Sequence, residues 1–145
     1  HGCRVLLEGL NFDEAKAEAY NIQQREGLTF IHPFDDPLVI AGQGTVALEM
    51  LDDEPELETL IVPIGGGGLI AGMATAAKAR NPNIRVVGVQ TALYSAMKQE
   101  VEGKAVDVGG STIAEGIAVK DVGRMPLEIV RALVDEILVV EEEHI

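Results

Sequence analysis

"LIVPIGGGGLIAGMATAAK", residues 60–78, is the stretch on which the fold turns. Apolar, largely β-branched residues run into four consecutive glycines, Gly65 to Gly68, and then into a helix-forming run of small and apolar residues. The order is strand, turn, helix. Four glycines forgo side-chain chemistry and carry a high conformational entropy cost, so the feature wanted here is the backbone. At the carboxyl end of a strand and the opening of a helix, the glycines occupy the place where ligands bind in open α/β sheets. Bare backbone N–H groups approach a ligand closely there, and the helix N-terminus adds a partial positive charge of roughly half a unit. That combination suits a phosphate. The loop contains no Lys or Arg, and the nearest following cations, Lys78 and Arg80, lie at the far end of the helix. An anion held here is bound by amides and dipole alone.

Three readings of the loop compete on residue grounds. A nucleoside-triphosphate loop needs Lys and then Ser or Thr after its last glycine, but Leu69 stands there, which sets that reading aside. A dinucleotide fingerprint is formally met by Gly66, Gly68 and Ala71. Such loops, however, want an acidic residue after the next strand to hold a ribose, and that strand ends in Gln90. The third reading is a tight strand-to-helix turn, for which one or two glycines suffice.

Outward from this stretch the chain alternates strand and helix. Cys3 to Leu7 and Leu28 to His32 read as short strands. Between them, Phe12 to Glu26 has helical spacing, with Asn11 as N-cap and Gly27 as stop. "PFDDP", 33–37, is a turn cluster whose two aspartates can bond back to backbone. "LVIAGQGTVALEMLDD", 38–53, is a helix rich in small residues in its first turn. Strands are expected at Thr59 to Ile64, Ile84 to Val89 and Glu136 to Val140, and helices at Leu69 to Arg80, Ser95 to Val101 and Pro126 to Val134. The near-continuous apolar strand at 84–89 suits a parallel sheet. The expected architecture is α/β, a doubly wound and mostly parallel sheet with helices on both faces.

Composition excludes several classes of function. The 145 residues, 47% hydrophobic and 24% charged, suffice for one domain with a core. A net charge of −13 opposes approach to nucleic acid or an anionic membrane. Small solutes and proteins are the expected partners. No apolar run approaches the roughly 20 residues of a membrane span, and no secretory pattern is present, so a cytoplasmic location is expected. Cys3 is the only cysteine; it forms no disulfide framework, and packing in an apolar strand is its expected role. His32 has no partner at metal-ligand or triad spacing and reads as a core or strand-end histidine. The acidic runs "DDEPELE" and "EEEH" read as solvated helix ends.

Taken in order, "GLTFIHPFDDPLVIAGQGTVALEML", "LIVPIGGGGLIAGMATAAK", "IRVVGVQ" and "STIAEGIAVK" resemble the threonine dehydratases (threonine ammonia-lyases) with their serine racemase and serine dehydratase relatives, pyridoxal-phosphate enzymes of the second fold type. The resemblance spans essentially the whole chain, and "IAEGIAVK" leans towards threonine ammonia-lyase. It implies that Gly65, Gly66, Gly67, Gly68 and Leu69 hold the phosphate of pyridoxal 5'-phosphate, and that Ala114, Glu115 and Gly116 run beside the cofactor ring. An ordinary turn before a helix is the plainer reading of that second segment. "AGQGT", 41–45, matches a close-packed helix start near the cleft, where tight packing explains the small residues equally well.

The resemblance also implies what to look for elsewhere. In relatives the lysine that anchors the cofactor as a Schiff base lies upstream, in a Ser-Phe-Lys motif that this chain lacks. Lys16, Lys78, Lys98, Lys104 and Lys120 have no comparable context. Residues 1–26 are therefore expected to be the end of the small domain, and 27–145 a partial large, cofactor-phosphate-binding domain. On this reading the chain is a central fragment, inactive alone, of an enzyme that deaminates L-threonine or L-serine to a 2-oxoacid and ammonia. Alternatives are a serine racemase-like protein, or a non-catalytic relict that binds a phosphate ligand or a partner subunit and self-associates as a homo-oligomer. Some relatives place an acidic metal ligand after the strand at 84–89, but "QTALYSA" stands at those positions. No metal is expected.

Overall fold

The computed structural model describes residues 2–145. The chain divides after Ile31 into two compact units.

The first unit is built on helix α1, Phe12–Glu26. Asn11 caps it as expected: Glu14 N–H donates to Asn11 Oδ1 at 3.0 Å, and Glu14 Oε2 accepts from Leu10 N–H at 2.8 Å. Gly27 closes the helix in the left-handed region, φ 66°, with its N–H on the Gln23 carbonyl. Phe30 stacks on Tyr20, ring centroids 4.3 Å apart. The strands expected at 3–7 and 28–32 do not form. A strand needs a neighbour to take up its N–H and C=O groups, and the one sheet among the described residues has no strand from either segment. Cys3 is accordingly exposed and not packed in a strand.

The second unit is the α/β part. Helix α2 is Pro37–Asp53, β1 is Thr59–Pro63, α3 is Gly68–Arg80 and β2 is Arg85–Thr91. A short α4, Ala96–Val101, then α5, Arg124–Leu133, and β3, Glu136–Val140, follow. The strands form one parallel sheet, order β1-β2-β3, with Leu60 opposite Val86 and Gly88 opposite Ile137. The α/β class is as expected. Helix α2 begins one residue before the expected start because Asp36 Oδ1 accepts from Leu38 and Val39 N–H and Pro37 is preset for the first turn. "AGQGT" therefore lies in the second and third turns.

Leu60, Val62, Val86 and Ile137 share one sheet face and form a core with Ile70, Met73, Ala74 and Ala77 of α3, Ala47 and Leu51 of α2, and Val130 of α5. On the other face Ile61 and Leu138 stay exposed. Helices α2 and α3 meet backbone to backbone at Gly44 and Gly72, where a Cβ on Gly44 would lie 3.0 Å from the Gly72 carbonyl oxygen. The small residues of "AGQGT" therefore include a packing contact, through Gly44. The acidic run after α2 is solvated except for Leu57, which packs against the core.

Asp135 ties the sheet start to α3. Its Oδ2 accepts from Lys78 Nζ at 2.8 Å and from Val86 N–H at 2.7 Å. The Lys78 hydrogen bond, followed by the Val86 amide, holds its carboxyl below the usual carboxylate value. The stability this contributes is present above the unfolded carboxylate range and is lost as pH falls through the lower folded value. Asp135→Asn should therefore flatten the decline in stability between pH 5 and pH 3, by about 1 kcal/mol or less for so exposed a pair. Denaturant melts of both proteins across that range check this; an unchanged slope counts against it.

Candidate functional site

After Pro63, the Ile64 N–H still bonds to the Val89 carbonyl at 2.8 Å. The chain then turns through Gly65, Gly66 and Gly67, and α3 starts at Gly68. Gly67 is the N-cap at φ 96°, and no side chain caps the helix. Gly66, Gly67 and Gly68 are buried, with Gly65 and Leu69 half-buried. The first-turn amides of Gly68, Leu69 and Ile70 find no acceptor among the described residues. A buried helix start in this condition calls for an outside acceptor.

The walls of the turn are close. A Cβ on Gly66 would lie 2.5 Å from three atoms of the Phe34 ring, and one on Gly68 2.8 Å from Phe34 Cβ and 2.9 Å from its Cα. On Gly67 it would meet Met97 Cε at 2.5 Å and Pro126 Cβ at 2.8 Å. On Gly65 it would meet Ile117 Cα at 3.2 Å. Packing thus requires more of these glycines than the one or two that turn geometry alone demands.

Three segments converge on the turn. The first is 32–36, where His32 Nδ1 accepts from Asp35 N–H at 2.9 Å and Phe34 N–H at 3.3 Å, folding the residues before α2. The half-buried His32 ring stands edge-on to Phe34, centroids 4.5 Å apart. The second is the start of α5, where Gly123 N–H donates to the Gly66 carbonyl at 3.0 Å. Arg124 and Met125 N–H groups donate to the two oxygens of Asp35, both at 3.0 Å. This remote cap moves the helix start to Arg124, two residues ahead of the expected Pro126. The third is 114–119. Ala114 N–H donates to Thr112 Oγ1 at 3.0 Å, and Glu115–Ile117 forms one 3-10 turn that sets Ile117 against Gly65. Glu115 and Gly116 themselves are exposed. The structure therefore brings Gly65 to Leu69 together as one cup; of the third segment Ile117 and Val119 reach it, and Ala114 to Gly116 form the turn just before them.

Gln90 is buried near the end of β2, with a task that residue order alone does not signal. Its Nε2 donates to the carbonyls of Tyr94 at 3.0 Å and Ile64 at 3.4 Å, while Oε1 accepts from Lys98 N–H at 2.9 Å. The amide thus ties the residue before the glycines to the start of α4. Gln90→Ala leaves those groups without partners and should cost about 2–3 kcal/mol, read as a lower denaturation midpoint at unchanged slope; a loss below 0.5 kcal/mol would contradict this role.

Lys78 and Lys98 are committed elsewhere, Lys78 to Asp135 and Lys98 to the Ile137 carbonyl at 2.9 Å. No group of three His, Cys, Asp or Glu residues that could hold a metal occurs among the described residues. No helix there is long and apolar enough to cross a membrane.

The family model for pyridoxal-phosphate dependent enzymes matches residues 1–145. The chain belongs to the pyridoxal-phosphate-dependent enzyme family. Within that family it is 50% identical to an L-threonine ammonia-lyase of Geobacter sulfurreducens, over 100% of this chain and 37% of that protein. It is 45% identical to a catabolic L-threonine dehydratase of Staphylococcus aureus, over 100% of this chain and 42% of that one. The chain thus spans about two-fifths of the curated relatives it matches. Among solved structures, maize serine racemase superposes with a TM-score of 0.85 at 36% identity, covering 95% of this chain and 44% of that one. The processed form of threonine deaminase isoform 2 from Solanum lycopersicum gives 0.85 at 38% identity, over 94% and 38%.

The cup fits the family's cofactor through its phosphate. First-turn amides without acceptors among the described residues, at the positive end of the 13-residue helix α3, complement an anion, and the close-set glycines leave no side chain in the way.

Proposed function

We propose that this chain carries the cofactor-phosphate half of the active site of a threonine ammonia-lyase, which deaminates L-threonine, or L-serine, to a 2-oxoacid and ammonia. The observation that carries the reading is the buried, uncapped start of α3 at Gly67. The names of the Geobacter and Staphylococcus relatives support the reaction class.

On this reading the amides of Gly65 to Leu69 grip the phosphate, and the α3 dipole offsets its charge without a cation. Bound pyridoxal phosphate supplies an electron sink for the substrate's α-carbon. Phe34, Met97 and Pro126, packed around the glycines, hold the loop rigid and keep water from its buried side. Ala114, Glu115 and Gly116, in the turn that leads into Ile117, would flank the cofactor ring. None of the lysines of this chain serves as the covalent anchor, so residues outside it complete the site. No divalent cation is used at the end of β2, since the Gln90 amide is already spent on Ile64, Tyr94 and Lys98. A racemase reading rests on the likeness to maize serine racemase.

Adding pyridoxal phosphate and L-threonine to the purified chain should change the cofactor's absorbance and 31P signal on binding, with no 2-oxobutanoate formed. Turnover by the chain alone would overturn the half-site reading, and no binding would overturn the phosphate site.

A further inference from the structure

We infer that Asp35 is a positioning residue for the phosphate loop, acting across the fold from a segment remote in sequence. The inference rests on the proposal that the glycine loop holds a phosphate. Asp36, its neighbour, has a local task in capping α2. Asp35 has none: its two carboxylate oxygens go to Arg124 and Met125, 89 and 90 residues away.

Those two bonds fix both walls of the glycine turn. On one side, the residue before Asp35 is Phe34, whose ring lies against Gly66 and whose backbone lies against Gly68. On the other, Gly123 immediately precedes the capped amides and donates to the Gly66 carbonyl at 3.0 Å. Moving Asp35 therefore moves the Phe34 wall and the Gly123 hydrogen bond together. A local cap at position 123 is not available, because a Cβ there would meet Pro126 Cγ at 2.7 Å and Asp35 Cβ at 3.1 Å. The remote carboxylate takes its place.

The same bonds decide which helix receives the anion. With Asp35 on its first amides, α5 has its N-terminus occupied by a carboxylate, whereas α3 starts on Gly67 with no side-chain cap. Removal of Asp35 loosens the cup around α3 and frees competing amides on α5.

The test titrates inorganic phosphate into the 15N-labelled chain and follows the amide peaks of Gly66 to Leu69, Arg124 and Met125. In the wild type, phosphate should move the glycine-loop peaks and leave those of Arg124 and Met125 in place; a wild type with no response sinks the phosphate reading itself, not the role of Asp35. Asp35→Ala should weaken phosphate on the order of five- to tenfold, displace the loop peaks before any phosphate is added, and make Arg124 and Met125 respond to phosphate. Asp35→Asn, which keeps one acceptor of similar shape, should weaken binding roughly two- to threefold. It decides the matter if the alanine variant does not fold. Variants that melt earlier yet bind phosphate with wild-type affinity and unmoved loop peaks would show an ordinary structural cap and overturn the inference.

Discussion

Valine at position 67 should abolish binding of pyridoxal phosphate while leaving the chain largely folded. Gly67 sits at φ 96° as the N-cap of α3, a conformation that a β-branched residue adopts only with strain of about 1–3 kcal/mol. Its Cβ would also meet Met97 Cε at 2.5 Å and Pro126 Cβ at 2.8 Å. The methionine end can swing aside, but the proline is held in α5. The least costly escape is a rearrangement of the turn, and that turns the Gly68 and Leu69 amides away from a common acceptor. The measurement is cofactor affinity by absorbance, with circular dichroism to confirm the fold. Affinity within threefold of wild type would contradict the assignment of the loop, since about 0.6 kcal/mol is all such a change represents.

The largest effect on stability is expected at a glycine outside the site. Gly72 lies where α3 crosses α2, and a Cβ there would overlap the Ile40 carbonyl oxygen and come within 2.6 Å of the Gly44 amide nitrogen. Both obstacles are backbone, so no rotamer change relieves them. The helices must separate, which opens the packing of Ala47, Leu51, Met73 and Ala77 behind them. Gly72→Val should lower stability by about 3–5 kcal/mol, a large part of what a domain of this size possesses. Gly44→Ala, facing the Gly72 carbonyl at 3.0 Å and the Ala76 methyl at 3.3 Å, should be milder. Chemical denaturation of both variants checks the order; a Gly72→Val protein as stable as wild type would show that the helix crossing is looser than the structure has it.

Residues 59–91 were legible in the sequence because each step there is local. Strand β1, the glycine break and α3 follow from residue order, and parallel pairing follows from the helical crossover between two apolar strands. The expected strands at 3–7 and 28–32 failed for a non-local reason. Their composition suits a strand, but a strand exists only where another lies beside it, and residue order does not say which segments meet. The start of α5 is hidden from residue order in the same way, since its cap comes from Asp35 through a fold that closes a gap of 89 residues.

At the candidate site, the glycines announced a backbone role, yet the sequence could not apportion it between ligand and packing. Phe34, Met97 and Pro126 show that packing claims a share. A signal for Asp35 was nonetheless present: "PFDDP" contains two aspartates and one adjacent helix start, so one carboxylate was left to find its partner elsewhere. From the sequence Gln90 stands out only for the charge it lacks, whereas its three backbone bonds give the positive reason for an amide, which both donates and accepts.

The central claim is that backbone amides of Gly65 to Leu69 receive the phosphate of pyridoxal 5'-phosphate. Amide chemical shifts of the 15N-labelled chain, recorded as the cofactor is added, test it most directly. Saturable shifts confined to Gly65–Leu69 and their immediate neighbours, reproduced by inorganic phosphate and lost in Gly67→Val, are the expected result. Shifts centred elsewhere, or none at these five residues at saturating cofactor, would contradict it.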